Sequence, residues 1–237
     1  MTRTIGERGT LKVLCSPHPA SNFFRRDGEG FTGLDHDVMQ KFARSLGVDL
    51  EVVAIDSFDR LIPALLAGEG DVIASSFSIT PERARSASFS TGYFPVLMMI
   101  TTRKDSTVAS EADLEGLTAL SVKGSSQEAR LGQIPGVAIE HRPRTPEIYR
   151  SLAAGEGDFA VFDSSSVVAQ LPNYPGLKIA FQLPDRQYYG FAVAPGSDLV
   201  GPLNAHIEAL QRGGLLFGLI QRYLGDRAAD IYRLASE

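Results

Sequence analysis

The stretch Leu-Leu-Ala-Gly-Glu-Gly-Asp at residues 65–71 occurs again, with one change, as Leu-Ala-Ala-Gly-Glu-Gly-Asp at residues 152–158. Each copy follows an apolar segment with helical spacing and precedes a short apolar run, at 72–74 and at 159–162. A glycine that ends a helix just before a buried strand is typical of α/β folds. Polar residues follow both runs, and in open α/β sheets ligands bind at the carboxyl ends of the strands. The repeat therefore predicts two similar α/β lobes that face each other across a ligand cleft.

The composition is that of a globular protein, because 43% of the 237 residues are hydrophobic and 22% are charged. A net charge of −5 without a run of Lys or Arg argues against nucleic acid as a partner. No apolar run approaches the roughly 20 residues that span a bilayer. The first residues lack the apolar segment of a secretory signal, so we expect either a protein that stays inside the cell or a chain that begins after a removed signal.

Metal-dependent and hydrolytic chemistry has no support in the sequence. The four histidines share no metal-ligand spacing, and the single Cys15 lies in a predicted strand, where we expect a core residue. Gly-x-Ser-x-Gly and phosphate-loop signatures are missing. Asp35 and Asp37 are two apart on a predicted helix and do not face each other, so we interpret them as favouring the helix N-terminus. We expect no metal, no cofactor and no catalytic residue.

Strand and helix patterns alternate along the whole chain. A hairpin is predicted over 23–31, turned by Asp27-Gly28, and Thr80-Pro81 is interpreted as the start of a helix. Two crossing segments, near 101–104 and 184–190, are predicted to act as a hinge between lobe 1 (9–101 with 190–237) and lobe 2 (104–186). The predicted strands cover 11–15, 50–55, 72–74, 94–102, 119–122, 138–140, 159–162, 177–181 and 191–194, and the main predicted helices cover 35–46, 146–154, 164–171, 199–210 and 215–223.

Two charged residues follow predicted strands. Arg83 is either a solvated helix arginine or a guanidinium directed into the cleft, where its planar fork can hold a carboxylate by two parallel bonds. Asp163 is either the N-cap of a helix or the partner of a ligand ammonium, since a buried carboxylate is costly unless it meets a cation. One cation from lobe 1 and one anion from lobe 2 would match a zwitterion, of which an α-amino acid is the simplest.

Ordered motifs carry a resemblance to a known family. They are Gly33-Leu34-Asp35-His36-Asp37, Leu61-Ile62-Pro63-Ala64-Leu65, Ser78-Ile79-Thr80-Pro81-Glu82-Arg83, Lys123-Gly124-Ser125-Ser126-Gln127-Glu128, Asp163 and Tyr189-Gly190-Phe191-Ala192-Val193. Through them the chain resembles, over residues 9–225, the periplasmic solute-binding proteins of polar amino-acid ABC importers. The resemblance implies an α/β periplasmic-binding-protein fold of type II, with two lobes that are each a doubly wound sheet flanked by helices and that close on a hinge. It also implies a periplasmic monomer that delivers its ligand to an ABC permease.

The resemblance assigns ligand-binding roles to individual residues. Arg83 matches the arginine that binds the ligand α-carboxylate, and Asp163 matches the acid that binds the α-ammonium. Phe58 stands where an aromatic side chain flanks the ligand. The remaining matches are Ser78, Ser125 and Ser126, which would add hydrogen bonds, and Ser75 and Ser76, which match positions in the side-chain pocket of histidine- and lysine-binding relatives.

The loop after the first predicted strand departs from the family pattern. Relatives commonly have an acidic residue, an aromatic and then Pro-Pro-Phe, whereas this chain has Ser-Pro-His-Pro-Ala-Ser-Asn-Phe at residues 16–23. Loops at strand ends carry function, so Ser16, His18 and Asn22 are candidate ligand contacts, with His18 or Pro19 in place of the stacking aromatic. The departure leaves room for a modified amino acid, an opine or another small carboxylate.

Two alternatives stay open beside a transport receptor. The fold also resembles that of cyclohexadienyl dehydratases, which need a general acid in the cleft. Asp163 and Asp185 are the only acids that can be placed there, and Asp163 is more simply an ammonium partner, so we expect that the chain is not an enzyme. It can also be a ligand-sensing domain cut from a receptor kinase or a cell-wall lyase.

Overall fold

The computed structural model of the protein describes residues 2–226 and residue 232. Twelve strands are numbered in chain order within these residues. They are β1 (Thr10–Cys15), β2 (Arg25–Asp27), β3 (Gly30–Thr32), β4 (Asp49–Ala54), β5 (Val72–Ile73), β6 (Ser88–Phe89), β7 (Phe94–Arg103), β8 (Thr118–Ser121), β9 (Ala138–His141), β10 (Phe159–Asp163), β11 (Leu177–Tyr189) and β12 (Ala192–Val193).

Eight α-helices and four turns of 3-10 helix connect these strands in the described part of the chain. The α-helices are α1 (Thr2–Arg8), α2 (Leu34–Ser45), α3 (Leu61–Leu66), α4 (Ser126–Leu131), α5 (Thr145–Ala154), α6 (Ser164–Gln170), α7 (Val200–Arg212) and α8 (Leu215–Leu224). The 3-10 turns are Phe58–Arg60, Arg83–Arg85, Glu111–Leu114 and Leu171–Asn173. No helix among the described residues is long and apolar enough to cross a membrane.

The chain divides into two compact units. Unit 1 consists of Met1–Pro95 and Tyr188–Glu237, and unit 2 of Val96–Gln187. The first crossing therefore lies between Pro95 and Val96, within the first residues of β7, whereas the sequence pattern places it near 101–104. The second crossing, at the end of β11, falls inside the predicted segment 184–190. The hinge itself stays a prediction.

The sheet of unit 1 has the strand order β4-β1-β5-β12-β6. β1 runs parallel to both β4 and β5, with Val13 opposite Val52 on one side and Val72 on the other, whereas β12 runs antiparallel to β5 and to β6. β1 reads as a nearly continuous apolar run because helices cover both of its faces, and Leu11, Val13 and Leu14 are fully buried. The carboxyl ends of β1 and β5 consequently lie side by side.

The sheet of unit 2 has the strand order β11-β7-β10-β8-β9. β10 is parallel to β8 and β8 to β9, while β7 runs antiparallel to β10. All five residues of β10 are buried, as expected for an inner strand covered on both faces. α5 packs on this sheet through Tyr149, whose ring stacks on that of Phe162 with centroids 3.9 Å apart. Both sheets are thus mixed, and in each of them three adjacent parallel strands extend from the middle of the sheet to one edge.

The two copies of the Gly-Glu-Gly-Asp stretch have the same structure in their respective units. The first glycine of each copy, Gly68 and Gly155, adopts a left-handed backbone with φ of 75° and 81° and stands at the helix end. The second glycine passes over a leucine of the neighbouring strand: a Cβ on Gly70 would lie 2.6 Å from the Leu14 side chain. At Gly157 the corresponding distance, to Leu120, is 2.7 Å.

The aspartate that closes each copy binds the backbone where the adjacent strand begins. Asp71 Oδ2 accepts a hydrogen bond from Lys12 N at 2.8 Å, and Asp158 Oδ2 accepts one from Thr118 N at 2.8 Å. In return, Asp71 N donates to the Lys12 carbonyl at 2.8 Å, and Asp158 N donates to the Thr118 carbonyl at 2.9 Å. Each copy therefore fixes the alignment of two parallel strands, whose carboxyl ends carry the candidate ligand residues.

Two local predictions differ from the structure, and two short elements were not predicted. The helix predicted from Thr80-Pro81 is a single 3-10 turn, Arg83–Arg85, because the chain enters β6 directly afterwards. The strand predicted over 177–181 continues to Tyr189, so the supposed connecting segment is part of β11. α1 and β6 were not predicted, since neither has a clear period in its few residues.

Candidate ligand-binding site

In unit 1, hydrogen bonds join the residues that follow β5 to the carboxyl end of β1. Ala74 N donates to Leu14 O at 3.0 Å, which extends the parallel ladder by one residue. The next residue, Ser75, is buried, and its Oγ accepts a hydrogen bond from Ser16 N at 3.1 Å. Two predicted site residues from separate segments are therefore in direct contact.

Arg83 is buried among aromatic rings. Its side chain is 8% exposed, and its Cζ lies 3.9 Å from the ring centroid of Phe77 and 5.5 Å from that of Phe58. Nη1 donates to the Ser78 carbonyl at 2.8 Å, and the backbone N–H donates to Thr80 Oγ1 at 3.2 Å. This burial excludes a solvated helix arginine. A guanidinium packed against the Phe77 ring and bonded to a carbonyl is restrained in orientation, which favours bidentate binding of a carboxylate.

The loop over 16–22 is ordered by its own backbone and by Ser21. Ser21 Oγ accepts from Phe23 N at 3.2 Å and from Phe24 N at 3.1 Å, and Ser21 N donates to the His18 carbonyl at 2.9 Å. The Asn22 carbonyl accepts from Leu34 N at 2.9 Å, which fixes the loop to the start of α2. Ser16, His18 and Asn22 are partly buried in this loop, and their roles as ligand contacts stay predictions.

Asp163 is the buried anion at the carboxyl end of β10 in unit 2. It occupies the N-cap position of α6, but its side chain makes no capping hydrogen bond. Instead, Oδ1 accepts from Gln127 Nε2 at 2.6 Å, and the residue is 9% exposed. The N-cap alternative is therefore right about position only, because the carboxylate does not cap the helix, and the role of ammonium partner stays a prediction. A buried, oriented carboxylate of this kind is suited to an ammonium partner.

Ser125 and Ser126 lie at the start of α4, beside β10. Ser125 Oγ accepts from Glu128 N at 3.0 Å and is therefore the N-cap of α4, while Ser126 is 5% exposed. Glu128 supports the same turn, since its Oε2 accepts from Gly124 N at 2.6 Å and its Oε1 bonds His141 Nε2. The predicted contribution of the two serines to ligand binding stays a prediction.

Two residues next to the candidate site were missed by the sequence reasoning. Gln127 orients Asp163, and Asp35, which we had interpreted as favouring a helix N-terminus, accepts from Ser76 N at 2.7 Å in the interior of unit 1. The available signal for Asp35 was its place on the apolar face of α2, in line with Val38, Met39 and Phe42. An acid on the buried face of a helix requires a partner.

Metal ligation has no structural basis in the described part of the chain. Among residues 2–226 and 232, no three His, Cys, Asp or Glu side chains are placed to hold a metal ion. Two buried groups of opposite charge instead follow the strand pattern: the guanidinium of Arg83 after β5 in unit 1 and the carboxylate of Asp163 at the end of β10 in unit 2.

Solved structures of amino-acid-binding proteins share the fold of this chain. A mutant of ArgBP from T. maritima has a TM-score of 0.86 and 31% identity, covering 95% of this chain and 99% of that one. The ancestral amino acid-binding protein AncCDT-1, described as a precursor of cyclohexadienyl dehydratase, has a TM-score of 0.84 and 26% identity, covering 94% and 98% of the two chains. These likenesses confirm the predicted type II periplasmic-binding-protein fold.

Curated relatives contradict the expectation that the chain is not an enzyme. The membrane-bound lytic murein transglycosylase F of Pseudomonas syringae pv. syringae is 30% identical over 231 residues, which are 93% of this chain but 46% of the relative. The chain thus spans about half the length of the curated relatives it matches. The chain is thus similar to part of a murein transglycosylase and to the precursor of a dehydratase. The expectation that it is not an enzyme is therefore wrong.

The family model for bacterial extracellular solute-binding proteins, family 3, matches residues 11–226. This range includes both copies of the Gly-Glu-Gly-Asp stretch, Arg83 and Asp163. By this match and by the shared fold, the chain belongs to the bacterial extracellular solute-binding proteins of family 3.

Proposed function

We propose that the chain binds a small zwitterionic solute, an amino acid or an amino-acid derivative, through Arg83 and Asp163. The guanidinium of Arg83 takes the ligand carboxylate, and the carboxylate of Asp163 takes the ligand ammonium. The observation that carries the proposal is that each unit buries one charge after a central strand and that the two charges are opposite. Burying both is unfavourable for stability alone, which favours a functional role.

The other predicted contacts are part of the same proposal. Phe58, Ser16, His18, Asn22, Ser75, Ser76 and Ser78 would complete the ligand surface of unit 1, and Ser125 and Ser126 that of unit 2. The ring of Phe58 already lies against the Arg83 guanidinium and can extend the aromatic surface along an apolar ligand side chain. Selectivity among amino acids would then depend on the unusual 16–22 loop.

The amino-acid class has support from the similar structures. One neighbour is an ancestral arginine-binding protein bound to arginine, and AncCDT-1 is named an amino acid-binding protein. The two share 30% and 26% identity with this chain. We propose the class from these names and from the charges of the site, and leave the side chain of the ligand to measurement.

Calorimetric titration with the twenty L-amino acids tests this function. For an amino acid that binds the wild-type protein, Arg83→Ala and Asp163→Asn are each expected to weaken binding at least about tenfold, because each removes a charge-assisted contact. Arg85→Ala and Asp105→Asn are the matched controls, since both side chains are exposed, and they are expected to leave the affinity unchanged. Unaltered affinity in both site variants would contradict the assignment.

We further propose a role outside the cytoplasm, as a monomeric receptor that delivers the solute to an ABC permease. The family is described as extracellular and solute-binding, which supports the location and the ligand-binding step. Reconstitution with an amino-acid ABC permease of the same organism in vesicles, followed by uptake of the bound amino acid, measures delivery. Uptake that does not depend on this chain would contradict the transport role.

A second candidate is the ligand-sensing half of a murein lyase. It is favoured by the transglycosylase relatives, which match 93% of this chain with less than half of their own length. The discriminating measurement is release of soluble fragments from purified murein by the full-length gene product, with and without the amino acid that binds.

Adding prephenate and L-arogenate to the assay, with turnover followed spectroscopically, tests the dehydratase chemistry of the AncCDT-1 lineage at the same time.

A further inference from the structure

Ser76 has a strained backbone in the middle of the candidate site. Its φ is 45°, and among the described residues it is the one non-glycine residue with a positive φ. A left-handed conformation is unfavourable for a residue with a Cβ and persists only where the surroundings fix it. The structure must therefore contain a group that holds Ser76 in place.

Asp35 is that group. Its Oδ2 accepts from Ser76 N at 2.7 Å, and its Oδ1 accepts from the Tyr93 hydroxyl. Asp35 is 0% and Tyr93 1% exposed, and the Tyr93 ring stacks on Phe191 with centroids 4.6 Å apart. The carboxylate is thus fixed from α2 and from the segment before β7, and it binds the backbone of the residue that needs support.

The strained residue is connected to both ends of the unit 1 site. Ser76 Oγ donates to the Ser75 carbonyl at 2.7 Å, and Ser75 Oγ accepts a hydrogen bond from Ser16 N. Two residues after Ser76, the Ser78 carbonyl accepts from Arg83 Nη1. A change in the Ser76 backbone would therefore displace the carbonyl that orients the guanidinium.

We propose that Asp35 is a positioning residue of the ligand site, whose carboxylate holds Ser76 in its left-handed conformation and thereby sets the orientation of Arg83. The proposal rests on the proposed function, because it gives Asp35 an effect on ligand affinity as well as on stability. It assigns no direct ligand contact to Asp35. The solute is the same zwitterion, and Asp35 acts on it through Ser76 and Ser78.

The titration of Asp35 makes this role measurable. Burial raises the pKa of Asp35 to about 7, against the hydrogen bonds from Tyr93 and Ser76 that lower it. The titratable groups that face it are the Tyr93 hydroxyl, whose pKa is raised well above its ordinary value by burial, and the Cys15 thiol, whose pKa is raised to about 12 by burial and by the Asp35 charge, with Arg26 opposing. Asp35 therefore changes charge near neutral pH while these neighbours stay protonated, and its bond to Ser76 N strengthens on ionisation.

The first test needs no ligand. In nuclear magnetic resonance spectra of the wild-type protein, the Ser76 amide proton is expected to shift with pH, with a midpoint near 7. Asp35→Asn keeps the shape of the side chain and should abolish the titration, and Tyr93→Phe should raise its midpoint. Asp37→Asn is the matched control, because Asp37 also lies in α2 but accepts from the Tyr223 hydroxyl. If the Ser76 amide does not titrate, or titrates alike in wild type and Asp35→Asn, the proposal that the Asp35 carboxylate holds Ser76 would be overturned.

The second test measures affinity with the twenty L-amino acids from pH 6 to pH 8. For an amino acid that binds, wild-type affinity is expected to rise about threefold over this range, as the acceptor becomes charged. Asp35→Asn should show no such rise, whereas Asp37→Asn should follow the wild type. Asp35→Ala, if it folds, should bind at least about tenfold more weakly. If none of the twenty amino acids binds the wild-type protein, the proposed function fails for the common amino acids, while the amide titration still decides whether Asp35 holds Ser76. A wild-type pH profile of affinity in Asp35→Asn would overturn the positioning role.

Discussion

Three charged side chains, Asp35, Arg83 and Asp163, are less than a tenth exposed. Removing a charge from water is unfavourable, and each of the three has oriented partners: Tyr93 and Ser76 for Asp35, aromatic rings and a carbonyl for Arg83, and Gln127 for Asp163. Apolar residues of similar volume would stabilise the fold as well or better. At the scale of single residues, therefore, the charges mark function more than folding.

The raised pKa of Asp35 predicts a specific pH dependence of stability. Because the carboxyl group binds its proton more tightly in the folded protein, its contribution is fully present below about pH 4 and is lost as the pH rises through about 7. The full change is on the order of 4 kcal/mol. Urea unfolding between pH 4.5 and 8 should show this decline in wild type and a flatter profile in Asp35→Asn. If the free energy of unfolding changes with pH in the same way in the two proteins, the raised pKa of Asp35 would be contradicted.

Much of the element pattern could be predicted from the sequence, because buried strands and amphipathic helices have clear periods. α2, α5, α7, α8 and the parallel strands lie within a few residues of their predicted bounds. The 3-10 turn at Arg83 could not be distinguished from a helix start, since Thr80 Oγ1 accepts from Arg83 N just as a helix cap would. The roles of Arg83 and Asp163 are predictions from charge and position, whereas the contacts of Asp35 with Ser76 and of Gln127 with Asp163 have no local pattern in the sequence.

The second glycine of each Gly-Glu-Gly-Asp copy makes a prediction at the scale of the element. Gly70→Ala and Gly157→Ala each place a Cβ within 3 Å of a buried leucine, so each is expected to lower the free energy of unfolding by about 1–3 kcal/mol. Gly176→Ala is the control, because nothing lies within 4 Å of its Cβ and its φ is not positive. Urea unfolding measures all three, and an effect of the control as large as that of Gly157→Ala would show that the leucine contact is not the cause.

At the scale of the whole molecule, the proposed function requires that one ligand engages groups from both units. A ligand can shift the arrangement of two units only by binding one arrangement more tightly than another. We therefore propose that the solute favours a closed arrangement and that the crossings at Pro95–Val96 and Gln187–Tyr188 provide the rotation.

Small-angle X-ray scattering measures this change. The radius of gyration of the wild-type protein is expected to decrease when a saturating amino acid from the binding panel is added. Arg83→Ala, at the same ligand concentration, should show no decrease, and Arg85→Ala should behave as wild type. A radius of gyration that is the same with and without ligand in the wild-type protein would count against hinge closure.

The strand order of unit 1 also determines when each half of the protein can be completed. β12 lies between β5 and β6 in that sheet, yet the ribosome makes it only after every residue of unit 2. Unit 2 is a continuous segment, 96–187, and of the strands in its sheet only β11 includes residues made later, Tyr188 and Tyr189. During synthesis the second unit can therefore fold while the first still has an open edge at β5. The half that begins the chain is therefore the last to be finished, and the β5 edge can pair wrongly until Ala192 and Val193 have been made.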